Sequence, residues 1–215
     1  MRLNLWVLFF IFVFNSLAVS DYVNTFGERF VWVASGSFTM GSTSSSQISL
    51  PQHTVNISEG YYIGKVEVTQ GFYNMVMGNT CAGIQCPSST YGKGPKVPMY
   101  YLSHQHMLTF IDKLNEKEST TAYRLPTEAE WEHACRSVSI SNLNGSLREI
   151  TSSYYQQYTS VSKTDPVGGS SGRYVIARDR GSMDKGSYDY CGERFTEYPL
   201  NFNTTYTGFR LVYKP

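Results

Sequence analysis

Residues 122–136 read Ala122-Tyr-Arg-Leu-Pro-Thr-Glu-Ala-Glu-Trp-Glu-His-Ala-Cys-Arg136, and the spacing within them decides how the rest of the chain must be arranged. Thr127 followed by Glu130 has the Ser/Thr-x-x-Glu spacing of a capping box. The hydroxyl accepts from the backbone N–H three residues on, while the glutamate reaches back to the N–H of the cap. Pro126 precedes the cap and cannot extend a helix backwards. Glu128, Glu130 and Glu132 place negative charge near the N-terminal end of the dipole, and Arg136 places positive charge at the other end. Trp131, Ala134 and Cys135 fall at i, i+3 and i+4, giving one apolar face that carries a thiol inward. A helix this short is marginal alone. Packing of Trp131 and a bond through Cys135 must pin it.

The same residues carry a resemblance. Arg124-Leu-Pro-Thr-Glu-Ala-Glu-Trp-Glu132 is similar to the signature of the formylglycine-generating enzymes, also called sulfatase-modifying factors. Companion pieces follow in family order: Gly36-Ser-Phe-Thr-Met-Gly41, Glu67-Val-Thr69, Asp165-Pro-Val-Gly168, Arg180-Gly-Ser182 and Gly208-Phe-Arg210. Together they extend the resemblance over most of residues 30 to 212. It implies an α+β fold of irregular, C-type-lectin-like architecture, with short strands, two or three helices and long loops.

Working outward, 215 residues with 41% hydrophobic content and many Tyr and Phe suit one ordered domain. Residues 1–20 stand apart. Arg2 gives a positive start, Leu3 to Phe14 is apolar apart from Asn4, and Ala18-Val-Ser20 is a small-residue exit. This reads as a cleaved secretory signal, leaving a single domain over residues 21–215 that is secreted or periplasmic. The competing reading, an uncleaved anchor, needs a longer apolar run. No later run could span a bilayer, so no membrane contact is expected after cleavage. Without Arg2 the 18 basic side chains become 17, matching the 17 acidic ones. Such a balance lacks the basic footprint that nucleic acid or anionic lipid requires.

Four cysteines in an exported chain suggest two disulfides, with three pairings open. Cys81 and Cys86 lie close together, flanked by Gly83 and Pro87, which suits a local clip. In the resembled family the cysteine ending the signature helix pairs with one shortly before the closing Gly-Phe-Arg. The resemblance therefore implies Cys135 with Cys191.

Several elements are expected along the chain. Phe30–Val33 and Ser37–Met40 suggest a hairpin, and Val55–Ile57 and Tyr61–Val68 read as strands. Thr69 caps a short helix to about Met77, and Ser103 caps a longer one to about Asn115, with Met107, Phe110, Ile111 and Leu114 as its buried stripe. Gly78–Pro98 is a long loop, and polar residues 137–164 read as surface loop. Arg173–Ala177 is a short strand and Phe209–Val212 a closing one.

The chemistry implied by the resemblance is largely missing. In the resembled enzymes two redox cysteines, five and ten residues before the cysteine matching Cys191, bind Cu(I), and oxygen then oxidises a substrate cysteine to formylglycine. Gly186 and Gly181 occupy those positions here. Hydroxyls and carboxylates cannot replace thiolates toward so soft a metal. A tryptophan-rich family segment ahead of the Arg-Gly-Ser is absent too, since no tryptophan follows Trp131. No catalytic residue and no redox cofactor is therefore expected.

His104 and His106 are two apart, and His53 and His133 are scattered, which makes a poor iron or zinc set. Gly168-Gly-Ser-Ser-Gly172 matches the nucleophile-elbow pattern, but Pro166 precedes it and a strand follows, so turn glycines are the reading. Asp179, Asp184 and Asp189 read as turn carboxylates, with structural calcium the alternative that the resemblance implies. The stretch Ser187–Tyr206 is dense in Tyr, Asn and Thr. Tyr188, Tyr190, Arg194, Asn201 and Asn203 there form a candidate binding surface, against ordinary aromatic packing. The expectation is an exported, catalytically silent domain that binds a protein or glycan partner. The alternatives are a formylglycine-type oxidoreductase with an unrecognised site, or an accessory structural domain.

Overall fold

A computed structural model describes residues 19–44, 47–78, 85–138, 147–169, 171–179, 189–199 and 204–215. In chain order its elements begin with strands β1 (Tyr22–Val23), β2 (Arg29–Val33), β3 (Gly36–Met40), β4 (His53–Ile57) and β5 (Tyr61–Gly64). Helices α1 (Gln70–Met77) and α2 (His104–Lys117), strand β6 (Tyr123–Arg124) and helix α3 (Glu128–Ser137) follow. The second half adds β7 (Arg148–Tyr154), β8 (Lys163–Thr164), β9 (Tyr174–Arg178), β10 (Phe195–Pro199), β11 (Thr207–Phe209) and β12 (Val212–Tyr213). This is a mixed α+β architecture built on three small sheets, ordered β1-β2-β5-β12-β6, β10-β9-β7-β11 and β3-β4-β8.

The helices begin where side-chain caps permit. The Thr69 hydroxyl accepts from the Phe72 N–H at 3.2 Å, and α1 ends at Gly78, whose φ of 75° suits a residue without Cβ. In α2, Ser103 caps the His106 N–H, and the His106 ring nitrogen takes the N–H of Ser103 at 3.2 Å, as a glutamate would in a capping box. The expected stripe Met107, Phe110, Ile111 and Leu114 is buried. It joins Phe72 and Tyr73 of α1 and Phe209 of β11 in one core, where Phe110 meets Phe209 edge-on at 5.5 Å. A second core gathers Val33, Met40, Val55, Ile63, Ala134 and Val212. No described helix is long and apolar enough to cross a membrane.

Three expectations fail, each for a physical reason. Phe30–Val33 and Ser37–Met40 do not form a hairpin: β2 pairs with β5 through Val31 and Ile63, and β3 pairs with β4 through Phe38 and Val55. Val33 and Met40 share the second core instead of a ladder. Residues 137–164 are not all surface loop. Residues 139–146 lie outside the described residues, but β7 is a central strand, antiparallel to β9 and parallel to β11. Its Glu149, Thr151 and Ser153 are fully buried, so a face that packs inward carries polar residues, and the pattern hides the strand. Finally, Phe209–Val212 is not one strand. β11 joins β7, whereas β12 enters another sheet between β5 and β6, with Arg210 at the step.

Candidate functional site

Helix α3 brings the charged residues together. Its capping box is present: the Thr127 hydroxyl accepts from the Glu130 N–H at 3.1 Å, and the Glu130 carboxylate accepts from the Thr127 N–H at 2.8 Å. The N–H of Glu128 is taken by the Ser153 hydroxyl of β7 at 2.9 Å. The three glutamates are more than a favourable charge at the dipole. All three are buried, and each holds arginine.

Glu130 receives Arg124 as a two-pronged pair at 2.5 and 2.7 Å. Glu128 accepts from Tyr158 Oη at 2.9 Å, Arg178 at 3.1 Å, and Arg194 at 2.6 and 3.0 Å. Glu132 takes Arg178 at 2.5 Å and Arg136 at 2.8 Å, together with the Gly41 N–H at 2.9 Å. Arg136 also reaches Asp189 at 2.8 Å. Glu128, Glu132 and Asp189 thus balance Arg178, Arg194 and Arg136. A neighbouring buried pair, Glu149 with Arg210 at 2.7 Å, also accepts the Trp131 indole N–H at 2.7 Å. Charges this deep persist only when paired and hydrogen-bonded.

Burial pushes the Tyr158 hydroxyl well above its usual range, and Glu128 beside it pushes further. Burial works against the Arg136 cation, yet Asp189 and Glu132 outweigh it and hold the group charged. Arg136 in turn holds the Asp189 carboxyl below the usual carboxylate range, against the effect of burial. His133 is lowered by burial, with Glu130 opposing.

Above this network a cleft of about 180 Å³ opens between the first turn of α3 and the 154–168 segment. Its lining includes Glu128, His53, Tyr158, Lys163, Gln157 and Arg194. The His53 ring meets Tyr158 edge-on at 4.7 Å. A wider groove of about 650 Å³, sharing Tyr154 and Val167 with the cleft, passes Arg124 and Lys214.

The expected site residues fare unequally. Cys135 and Cys191 are bonded, with an S–S distance of 2.00 Å, and pack with Trp131 as a small buried cluster. Cys86 is also disulfide-bonded, while Cys81 lies outside the described residues. Tyr188, Asn201 and Asn203 lie outside them too. Tyr190 is exposed. Arg194 is a correction: only 2% exposed, it is an ion-pair partner of Glu128 at the cleft floor and presents no free guanidinium at the surface. The sequence offered no signal for this, because an arginine beside polar and aromatic neighbours looks the same whether or not a distant glutamate claims it. The charge network was missed for the same reason.

Asp189 is engaged by Arg136, Asp179 is fully buried, and Asp184 lies outside the described residues. Among the described residues no group of three or more His, Cys, Asp or Glu is arranged to hold a metal ion. Copper(I) of the family type needs two thiolates. Cys86, Cys135 and Cys191 are all in disulfides and no described cysteine is free, so no thiolate pair is available and the residues do not fit that metal.

Searched by sequence, the chain matches no curated protein. Among solved structures, Treponema denticola variable protein 1 superposes with a TM-score of 0.76 at 20% identity, covering 91% of this chain and 99% of that one. PvdO from Pseudomonas aeruginosa follows at 0.75 and 17%, over 91% of this chain and 98% of its own. CarF aligns at 0.61 and 15%, over 86% and 97%. At these identities the likeness concerns the fold alone. The profile of the sulfatase-modifying factor enzyme 1-like domain matches residues 17–141, more than half of the sequence and including the whole of α3. With the capping box, the paired glutamates and the Cys135–Cys191 bond in place, the chain belongs to the sulfatase-modifying factor family.

Proposed function

We propose that this protein is an exported, catalytically silent member of the family that binds a protein or glycan partner and works without a redox metal. The observation that carries this reading is the state of the cysteines. Gly181 and Gly186 stand where the resembled enzymes carry their redox pair, and every described cysteine is held in a disulfide. A scaffold that keeps its framework sulfurs while lacking a thiolate pair cannot hold Cu(I) in the family manner. The disulfides and the apolar residues 3–14 support passage through the secretory route. The cleft over the α3 charge network and the exposed Tyr190 support binding. A likeness of fold to a protein called a variable protein fits a scaffold whose surface does the work.

Three measurements test the reading. The purified chain, loaded with Cu(I) in air and given a Cys-x-Pro-x-Arg peptide, should leave the peptide thiol intact; oxygen-dependent loss of that thiol rejects catalytic silence. The chain, displayed on glycan and protein arrays, should show saturable capture; none at all rejects the binding role. The mass of protein recovered from the secretory route should place the N-terminus near Asp21.

A further inference from the structure

We infer that the cleft between α3 and the 154–168 segment is a binding site for a small carboxylate, held by Lys163. The inference deepens the binding reading above and rests on it. The cleft floor decides the sign of the ligand. Glu128 is its only lining carboxylate among the described residues, and four donors already occupy it: Tyr158 Oη, Arg178 Nη1, and Arg194 Nε and Nη2. Three of these donors converge on Oε1 and one on Oε2, and two guanidinium groups already neutralise the charge of Glu128, so it offers a cationic ligand little attraction.

The cationic side of the lining is not used up in the same way. Arg194 spends donors on Glu128 and on the carbonyls of Ile48 and Gln156, which accounts for four of its N–H groups and leaves one on Nη1. Lys163 is half-buried, and β8, which carries it, is fixed through its backbone pairing with Val55 of β4. Among the described residues no carboxylate forms an ion pair with Lys163. Lys163 and Arg194 against Glu128 therefore leave the lining with one uncompensated positive charge. A partly enclosed, uncompensated ammonium attracts an anion more strongly than an exposed one does. Gln157 supplies an amide, and Tyr154 and Val167 supply a less polar wall for the body of the ligand. A carboxylate on a compact polar body fits this combination, and an acidic sugar and a peptide C-terminus both offer one.

The test is calorimetric titration of the purified chain at low and moderate salt with four probes. These are glucuronate and its neutral counterpart glucose, and N-acetyl-alanyl-alanine and its C-terminal amide. At least one acid should bind, with its neutral counterpart at least tenfold weaker, and added salt should weaken the acid. Lys163→Met should cost the acid at least tenfold in affinity, Lys163→Arg should retain binding, and Lys113→Met on the exposed side of α2 should change nothing. If the melting curve shows that Lys163→Met does not fold, Lys163→Gln takes its place. The responding acid identifies the source, and a response to both means that the carboxylate alone is read. Binding of neither acid, equal binding of acid and neutral probes, or an undiminished Lys163→Met variant overturns the inference. Array capture that persists after such a failure confines the error to this cleft; loss of both rejects the binding reading as well.

Discussion

Replacing Glu128 with leucine should test whether the α3 network holds the fold together. In the native protein the Glu128 carboxylate takes two hydrogen bonds from Arg194, one from Arg178 and one from Tyr158. Arg178 keeps Glu132, but Glu128 is the only carboxylate paired with Arg194 among the described residues. Breaking one side of a buried ion pair costs about 3–5 kcal/mol, because a desolvated charge is left behind. For a domain of this size that corresponds to a fall in Tm of roughly 6–20 °C. It is also a large share of a total stability of about 5–15 kcal/mol. The double variant Glu128→Leu/Arg194→Met removes both charges and should recover most of the loss, leaving about 1–2 kcal/mol for the stranded partners. Thermal and urea melts of the wild type, both single variants and the double give the coupling directly. Single variants within about 1 kcal/mol of wild type, or a double whose loss equals the sum of the singles, would refute the claim that these residues act as one unit.

Other outcomes follow from neighbouring contacts. Cys135→Ser opens a loop of 56 residues and should cost about 4 kcal/mol without reductant, with the two proteins converging once the disulfides are reduced; equal melting in air contradicts the bond's role. Stability should fall as pH drops from about 7.5 to about 5.5. His133 and His104 are held below their usual range by burial, so the unfolded chain takes up protons there more readily than the folded one, and His133→Gln should flatten the slope. Gly192→Ala should destabilise by about 2 kcal/mol, because a Cβ would come within 2.5 Å of Asp189 and 2.6 Å of Arg136 and force that pair apart. Tyr190→Ala should leave the melting temperature nearly unchanged, within about 0.5 kcal/mol, and any effect should appear in partner capture.

The helices could be read in advance because their determinants are local. Thr69, Ser103 and Thr127 cap the elements they announce, and the α2 stripe lies on one face as its spacing requires. The fate of Glu128, Glu130 and Glu132 could not be read this way. Their partners Arg124, Arg178 and Arg194 come from before α3, from β9 and from just ahead of β10, and nothing local distinguishes a solvated glutamate from a buried one. β7 escaped for a related reason: Glu149, Thr151 and Ser153 are polar because they satisfy Arg210, the Ile176 carbonyl and the N–H of Glu128. The Cys135–Cys191 bond was accessible through the family resemblance, and Arg194 was misassigned to the surface because its ion pair spans 66 residues.

The split of residues 207–213 between β11 and β12 bears on how the protein is made. β11 adds an edge strand beside β7, whereas β12 fits between β5 and β6, so the five-stranded sheet stays in two pieces until this short stretch arrives. A chain emerging from the ribosome or a translocation pore cannot join β6 to β5 while that stretch is still inside. Nascent intermediates would then expose sheet edges until residues 207–213 emerge, and a holdase that shields such edges would raise the yield.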